Sequence, residues 1–434
     1  MFIVRIIYSA CCIIETDDIR VLCDPWFTQG IHGGTWFHFP YHRNPLSLIG
    51  PCDYIYISHI HEDHYDPIFL QQYLDYNSNL YSKSPTLLIA DRTNQNYLLK
   101  RMQLDGFNVL STSNAIQIGG TSLMACEYKS SLVHEIDSCL LIEYRDQAVL
   151  NMNDISYQKQ SVTRTLDALN CPKITCLLAK HAGASPYPQM YYDIDSLPRP
   201  HQEKKEYNMY YYRQMINHVN PTYVLPFAGD YFLGSDLLPL NNFRGMYDTC
   251  ETPALDSRSI PLDIQSGKEY FDLESGMPSL IKSTPTDQYI GFISRMNEIS
   301  SHPRIKHYPE LTQTQILTKI SDTIPQAFSR WSDKSEFSFD FSYRFFFDYS
   351  SDLIFFIYIV NKTPTYKLIS TAQPIQIPTS PQVDIYIGSR LFLAAILCDV
   401  HWNNIFGGSQ CSLRRNGDQT KCMSMESKLW FFHI

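Results

Sequence analysis

The chain has 434 residues, of which 44% are hydrophobic and 14% aromatic, enough apolar material for two or three packed units and too much for a disordered chain. A net charge of −9 and a pI near 5.8 argue against a surface built to neutralise phosphates. The longest cationic clusters are pairs such as Lys204-Lys205 and Arg414-Arg415, so nucleic acid is not an expected partner.

The 12 cysteines show no repeated C-x-x-C, and Cys11, Cys12, Cys139 and Cys176 lie in apolar runs, where a thiol behaves as a small hydrophobe. This usage points to a reducing, cytoplasmic compartment. Arg5 interrupts the apolar start Met1-Phe2-Ile3-Val4, and the run Leu391–Cys398 is far short of the roughly 20 residues that span a bilayer. Neither a signal peptide nor a membrane anchor is expected.

In chain order, Ile3–Ile14 reads as one β-rich stretch, Thr16-Asp17-Asp18 as a turn, and Ile19–Cys23 as a returning strand that ends on Asp24-Pro25-Trp26-Phe27. The next segment, Thr28–Leu46, sets Gly30, Gly33 and Gly34 among Trp36, Phe37, Phe39 and Tyr41. It is either a substrate flap or a surface loop packed by its own aromatics. Tyr54-Ile55-Tyr56-Ile57 is a short β-rich run that delivers the chain to Ser58-His59-Ile60-His61-Glu62-Asp63-His64. Three imidazoles and a carboxylate so close together can converge on metal. Alternate side chains of an extended segment share a face, so His59 and His61 are expected to hold one ion. Asp63 and His64 arrive as the chain turns and can face a second ion, as in two-metal hydrolytic sites. Beyond this, Pro67–Leu74 and Asn94–Leu104 read as helices, and Thr86–Ala90, Val109-Leu110, Ala115–Ile118 and Ser122–Tyr128 as strands. Strands separated by helices predict a layered α/β architecture.

The run 59–64 resembles the H-x-H-x-D-H signature of the metallo-β-lactamase superfamily at every fixed position. The resemblance implies an αββα sandwich and two divalent metal ions, zinc first and iron as the alternative. It implies further roles. His134, between two strands, is the third ligand of the first ion. Asp154, ending the apolar strand Ala148–Leu150 and its Asn-rich tail, bridges both ions, and Asp24 buttresses the metal loop, with a turn-initiating Asp-Pro as the alternative reading of that pair. His181, after Cys176–Lys180, completes the second ion, with Asp230 as its rival. Asp63 doubles as the catalytic proton acceptor. Gly183-Ala184-Ser185-Pro186-Tyr187-Pro188, Pro226-Phe227-Ala228-Gly229 and His401-Trp402-Asn403-Asn404 resemble the branch that contains CMP-N-acetylneuraminate hydroxylase. That branch often has a tyrosine in the place of His181, which keeps Asp230 open.

The tyrosines and methionines of Glu203–Asn217 ride on a helical segment and read as core. The catalytic domain is expected at 1–245, a linker or lid at 246–310, and a C-terminal α+β domain at 311–434 whose shape resembles sterol-carrier-like domains. The motif itself favours a hydrolase that uses a metal-bound hydroxide on an amide, ester or phosphoester. The alternative is a diiron oxygenase hydroxylating a nucleotide-sugar, amino-sugar derivative or related small molecule. A Rieske cluster needs C-x-H and C-x-x-H pairs, and only Cys398-x-x-His401 is available, so electrons for that reaction would come from a separate protein.

Overall fold

Alternate residues of the early strands face opposite ways. In the computed structural model Val4, Ile14, Val21 and Tyr56 point into one apolar layer, and Ile7, Ile13, Leu22 and Ile55 into another. The structure describes residues 1–38, 44–82, 84–93, 95–130, 136–170, 173–262, 268–280, 311–347, 353–370 and 381–432. The strands form an eight-stranded sheet in the order Met277–Leu280, Lys268–Asp272, Phe2–Tyr8, Cys11–Thr16, Arg20–Cys23, Tyr54–Tyr56, Thr86–Ala90 and Val109–Thr112. Pairing is antiparallel as far as Arg20–Cys23 and parallel from there on. A six-stranded sheet follows the order Tyr223–Phe227, Cys176–Lys180, Gln147–Asn151, Ser138–Tyr144, Thr121–Glu127 and Ile116–Ile118, with the first three parallel and the rest antiparallel.

The sheets share one core, in which Leu123, Leu140, Ile142, Val149 and Leu225 meet the inward side chains of the first sheet. Outside the first sheet, Phe69, Leu70 and Tyr73 of the helix Pro67–Tyr81 and Met102 of Tyr97–Leu104 cover Leu22, Ile55 and Leu87. Outside the second, Val162 of Lys159–Leu169 and Tyr212, Met215 and Ile216 of Pro198–Val219 cover Leu141, Leu150 and Leu177. The layers run helix, sheet, sheet, helix, which is the αββα sandwich expected. Because the parallel strands of each sheet run the same way, Asp24, Ser58, Asp154, His181 and Asp230 all follow carboxyl ends of strands. In open α/β sheets that is where ligands bind.

Several details depart from the sequence reading. Ile3–Ile14 is two strands, not one, because Ser9 adopts a left-handed φ of 47° and folds Phe2–Tyr8 back on Cys11–Thr16. The helix Pro67–Tyr81 runs past Leu74. The presumed core stripe divides: Tyr212 and Met215 are buried, whereas Tyr207 and Tyr210 face solvent at 60% and 56% exposure. Trp36 and Phe37 are buried with Trp26, Ile31 and Tyr231, so the described part of the Gly-aromatic segment is a packed loop rather than a flap. Phe39 and Tyr41 lie outside the described residues. Residues assigned to the linker or lid contribute the strands Lys268–Asp272 and Met277–Leu280, and Phe271 is buried in the inter-sheet core. The sandwich therefore extends past 245, because the edge of Phe2–Tyr8 still offers backbone groups that a strand can pair.

Residues 311–432 build a C-terminal unit around an apolar cluster that Met190 and Tyr191 join from the earlier chain. Its five-stranded sheet runs Thr363–Ser370, Leu353–Val360, Phe341–Phe347, Gln382–Ile387 and Cys411–Asn416. Ile316, Ile320, Ile324 and Trp331 of the helix Gln313–Lys334, with the apolar helix Ser389–Ile396, pack against Tyr343, Phe345 and Ile385. Among the described residues, no helix is long and apolar enough to cross a membrane.

Candidate metal centre

The metal loop leaves the strand Tyr54–Tyr56 with its backbone already committed. The N–H of Ser58 donates to Asp24 Oδ1 at 2.8 Å and its hydroxyl donates to Asp24 Oδ2 at 2.7 Å. Asp24 has a φ of 42°, and its N–H donates to Tyr56 O at 2.9 Å. The far end of the loop is tied by Asp66, which accepts from Phe27 N, Thr28 N and Phe69 N and so caps the helix Pro67–Tyr81 while gripping the segment after Asp24. Across the sandwich, the Tyr56 hydroxyl meets Ser138 Oγ at 2.8 Å, and Ser138 Oγ donates to Ser58 O at 2.7 Å. The two sheets are thus pinned together beneath the loop.

These contacts orient the imidazoles. His64 Nδ1 lies 2.9 Å from Asp24 Oδ2, and His59 Nδ1 lies 3.1 Å from Asp137 Oδ1 and 3.0 Å from Ser58 Oγ. The His64 Nδ1–H is donated to the Asp24 carboxylate, so its Nε2 points the other way, as in a carboxylate–histidine–metal relay, while His59 Nδ1 has Ser58 Oγ within hydrogen-bond reach and the Asp137 carboxylate beside it. His59 Nε2 and His61 Nδ1 turn to one point, 2.8 Å apart. His64 Nε2 lies 3.5 Å from Asp63 Oδ2 and 3.8 Å from Asp154 Oδ2. Donor atoms of His59, His64 and Asp154 all fall within 4.8 Å of one another. Donors about 2.0–2.1 Å from one ion lie no more than about 4.2 Å apart, so the 3.5 and 3.8 Å separations around His64 Nε2 suit a shared ion.

Charge and burial complete the test of whether these residues suit a cation. Burial pushes His59 well below its ordinary range and lowers His61 too, leaving both in the neutral form that binds metal. Burial also acts to lower His64, but the carboxylates of Asp63, Asp24 and Asp154 outweigh it and hold the proton firmly. Burial would raise Asp63, yet the charge of His64 and the contacts with the His32 and His64 rings keep it well below the usual carboxylate range. Asp154 is likewise held low against burial, by Lys180, His64 and His59. Buried carboxylates surrounding one imidazolium are an arrangement in which cations can replace the proton. Asp154 Oδ1 and His181 Nε2 are buried without a hydrogen-bond partner, the mark of donors aimed at something other than protein. The donor set fits a metal.

His181 is 2% exposed, and its Nε2 lies 3.8 Å from Asp230 Oδ1, so the two rivals stand side by side. Asp154 is presented by Asn153, whose side-chain oxygen accepts from Asp154 N at 2.7 Å. His134 lies outside the described residues. Two site residues escaped the sequence reading. Asp137, directly before the strand Ser138–Tyr144, carries no signal beyond its nearness to His134. His32 sits in the glycine-rich loop, where a buried histidine looks like packing. Beside the loop, a cavity of about 230 Å³ is lined by Ser58, Ile60, Arg92, Tyr97, Glu127 and Tyr128 among others.

An αββα sandwich with candidate metal donors at its strand ends is the layered arrangement of the metallo-β-lactamase fold. No protein-family model matches the chain. Its sequence is similar to that of a Mycolicibacterium smegmatis protein named as a Rieske 2Fe-2S iron-sulfur protein, at 28% identity over 244 residues, 54% of this chain and 45% of that one. It is also similar to the cytidine monophosphate-N-acetylneuraminic acid hydroxylase of Danio rerio, at 25% identity over 262 residues, 57% of this chain and 41% of that one. The chain thus spans less than half the length of these relatives. Among solved structures, isothiocyanate hydrolase from Delia radicum gut bacteria aligns at a TM-score of 0.40 and 10% identity, covering 64% of this chain and 100% of that one, too loose a likeness to bear on function.

Proposed function

We propose that the chain is a metal-dependent oxygenase that hydroxylates a small polar metabolite, a nucleotide-sugar or amino-sugar derivative, with electrons from a separate protein. The observation that carries this reading is the sequence similarity to a hydroxylase and to a Rieske-named protein, on a donor set of imidazoles and carboxylates that suits iron as well as zinc. In this reading His59, His61 and His134 hold one ion, and Asp63, His64, Asp154 and His181 or Asp230 hold the other. Bound iron supplies redox chemistry toward dioxygen, whereas bound zinc supplies Lewis acidity. The chain's own part is positional: Asp24 and Asp137 fix the imidazole tautomers, and the enclosure of His59 and His64 excludes water from the donor atoms.

A hydrolase is the second reading, favoured by Asp63. Its carboxylate sits between His64 and His32 beside the donor cluster, the place a proton acceptor for water would take in that chemistry. Elemental analysis of anaerobically purified protein, paired with an oxygen-consumption assay under reductant, separates the two. Iron near two ions per chain with reductant-dependent oxygen uptake is the expected result. Zinc with no oxygen uptake turns the assignment to hydrolysis, and protein that binds neither metal overturns both.

A further inference from the structure

Outside the motif, one more buried imidazole faces the same carboxylate. His32 is 4% exposed, and its Nε2 lies 3.8 Å from Asp63 Oδ1, while His64 Nε2 approaches Asp63 Oδ2 at 3.5 Å. Asp63 is therefore bracketed by two histidines, only one of which belongs to the H-x-H-x-D-H run. His32 has φ 49° and ψ 49°, a left-handed conformation that a residue with a Cβ keeps only where its surroundings hold it.

The surroundings do so from the C-terminal unit. The N–H of His32 donates to Glu62 Oε2 at 2.6 Å, and the other oxygen of Glu62 accepts from Asn404 Nδ2, also at 2.6 Å. The His32 carbonyl accepts from Gln410 Nε2 and from Thr35 Oγ1. The ring meets Trp36 edge-on at 4.4 Å. The approach is too close to be incidental: a Cβ at Gly408 would come within 2.4 Å of His32 O, and one at Gly33 within 2.1 Å of Gln410 Nε2. Glu62 lies inside the metal loop, so the helix Trp402–Gly407 reaches the loop and the residue that braces it through one carboxylate.

We propose that His32 is a positioning residue of the metal centre, turning the Asp63 carboxylate toward His64, and that Asn404 and Gln410 hold His32 in that role. The C-terminal unit is then a structural part of the metal site. The proposal rests on Asp63 being a metal ligand.

The test is zinc titration of the full-length chain after chelator treatment, with cobalt substitution as a spectroscopic check and thermal unfolding alongside. His32→Asn suits the left-handed backbone but is too short to reach Asp63, whereas His32→Gln restores an amide N–H near the place of Nε2. The weaker of the two zinc sites should lose about 10–100-fold in affinity in His32→Asn, recover in His32→Gln, and weaken in Asn404→Ala, which removes the clamp without touching the centre. The cobalt spectrum should change in the same order. Parent-like affinity in His32→Asn, or a Gln variant that folds but binds no better than the Asn variant, overturns the proposal. Should His32→Asn fail to fold, unchanged zinc affinity in Asn404→Ala overturns it. A parent chain that binds no zinc or cobalt instead overturns the metal reading of Asp63 itself.

Discussion

Asp24, Ser58, His59 and His64, at strand ends of the first sheet, are exposed by 3% or less and hydrogen-bond to one another. The residues at strand ends of the second sheet are arranged differently. Asp154 and Asp230 have side chains 17% and 39% exposed, and Asp154 Oδ1 and His181 Nε2 lack hydrogen-bond partners. One half of the centre is thus organised before any ion arrives, and the other presents open donors. A preorganised half sets geometry, and an open half supplies the affinity and charge that an ion completes.

The largest effect that would sharpen this contrast is expected at Asp154. Asp154→Asn keeps the shape and removes the charge shared between the ions, so total metal should fall below about one ion per chain. Elemental analysis showing two ions still bound would reduce Asp154 to a turn residue. In the preorganised half, Asp24→Asn removes the carboxylate bonded to His64 Nδ1 and leaves that buried ring with less compensating charge. The metal-free protein should lose about 3 kcal/mol in denaturant unfolding, an effect that no open-half substitution should match. If Asp24→Asn is as stable as the parent, the first half is not organised by that pair.

Within the open half, His181→Ala should weaken the second ion by at least about 10–100-fold, and Asp230→Ala by less, because His181 is enclosed and Asp230 partly wet. The reverse ranking in a zinc titration would make Asp230 the ligand and His181 its support. The smallest effect is expected at Asp137, where Ser58 Oγ offers His59 Nδ1 a second acceptor at 3.0 Å. Asp137→Asn should cost about tenfold in affinity for the first ion. A far larger loss would mean that Asp137 itself ligates.

The sequence by itself determined that His59, His61, Asp63 and His64 lie close together, since they are neighbours in the chain and a strand followed by a turn is enough to gather them. It also determined the layered α/β class, because runs such as Tyr54–Ile57 and Cys176–Lys180 alternate with helical stretches. What it left open was every contact made across space. The His59–Asp137 pair joins one sheet to the other, and the two strands after residue 267 pair with an edge that only the folded sheet exposes. His181 and Asp230 could not be ranked because they follow adjacent parallel strands and arrive at the same place. The bracing of Asp63 by His32, and of His32 by Asn404 and Gln410, spans most of the chain. Local periodicity records which face a side chain takes, but not which distant side chain it meets there, and that meeting is decided by packing alone.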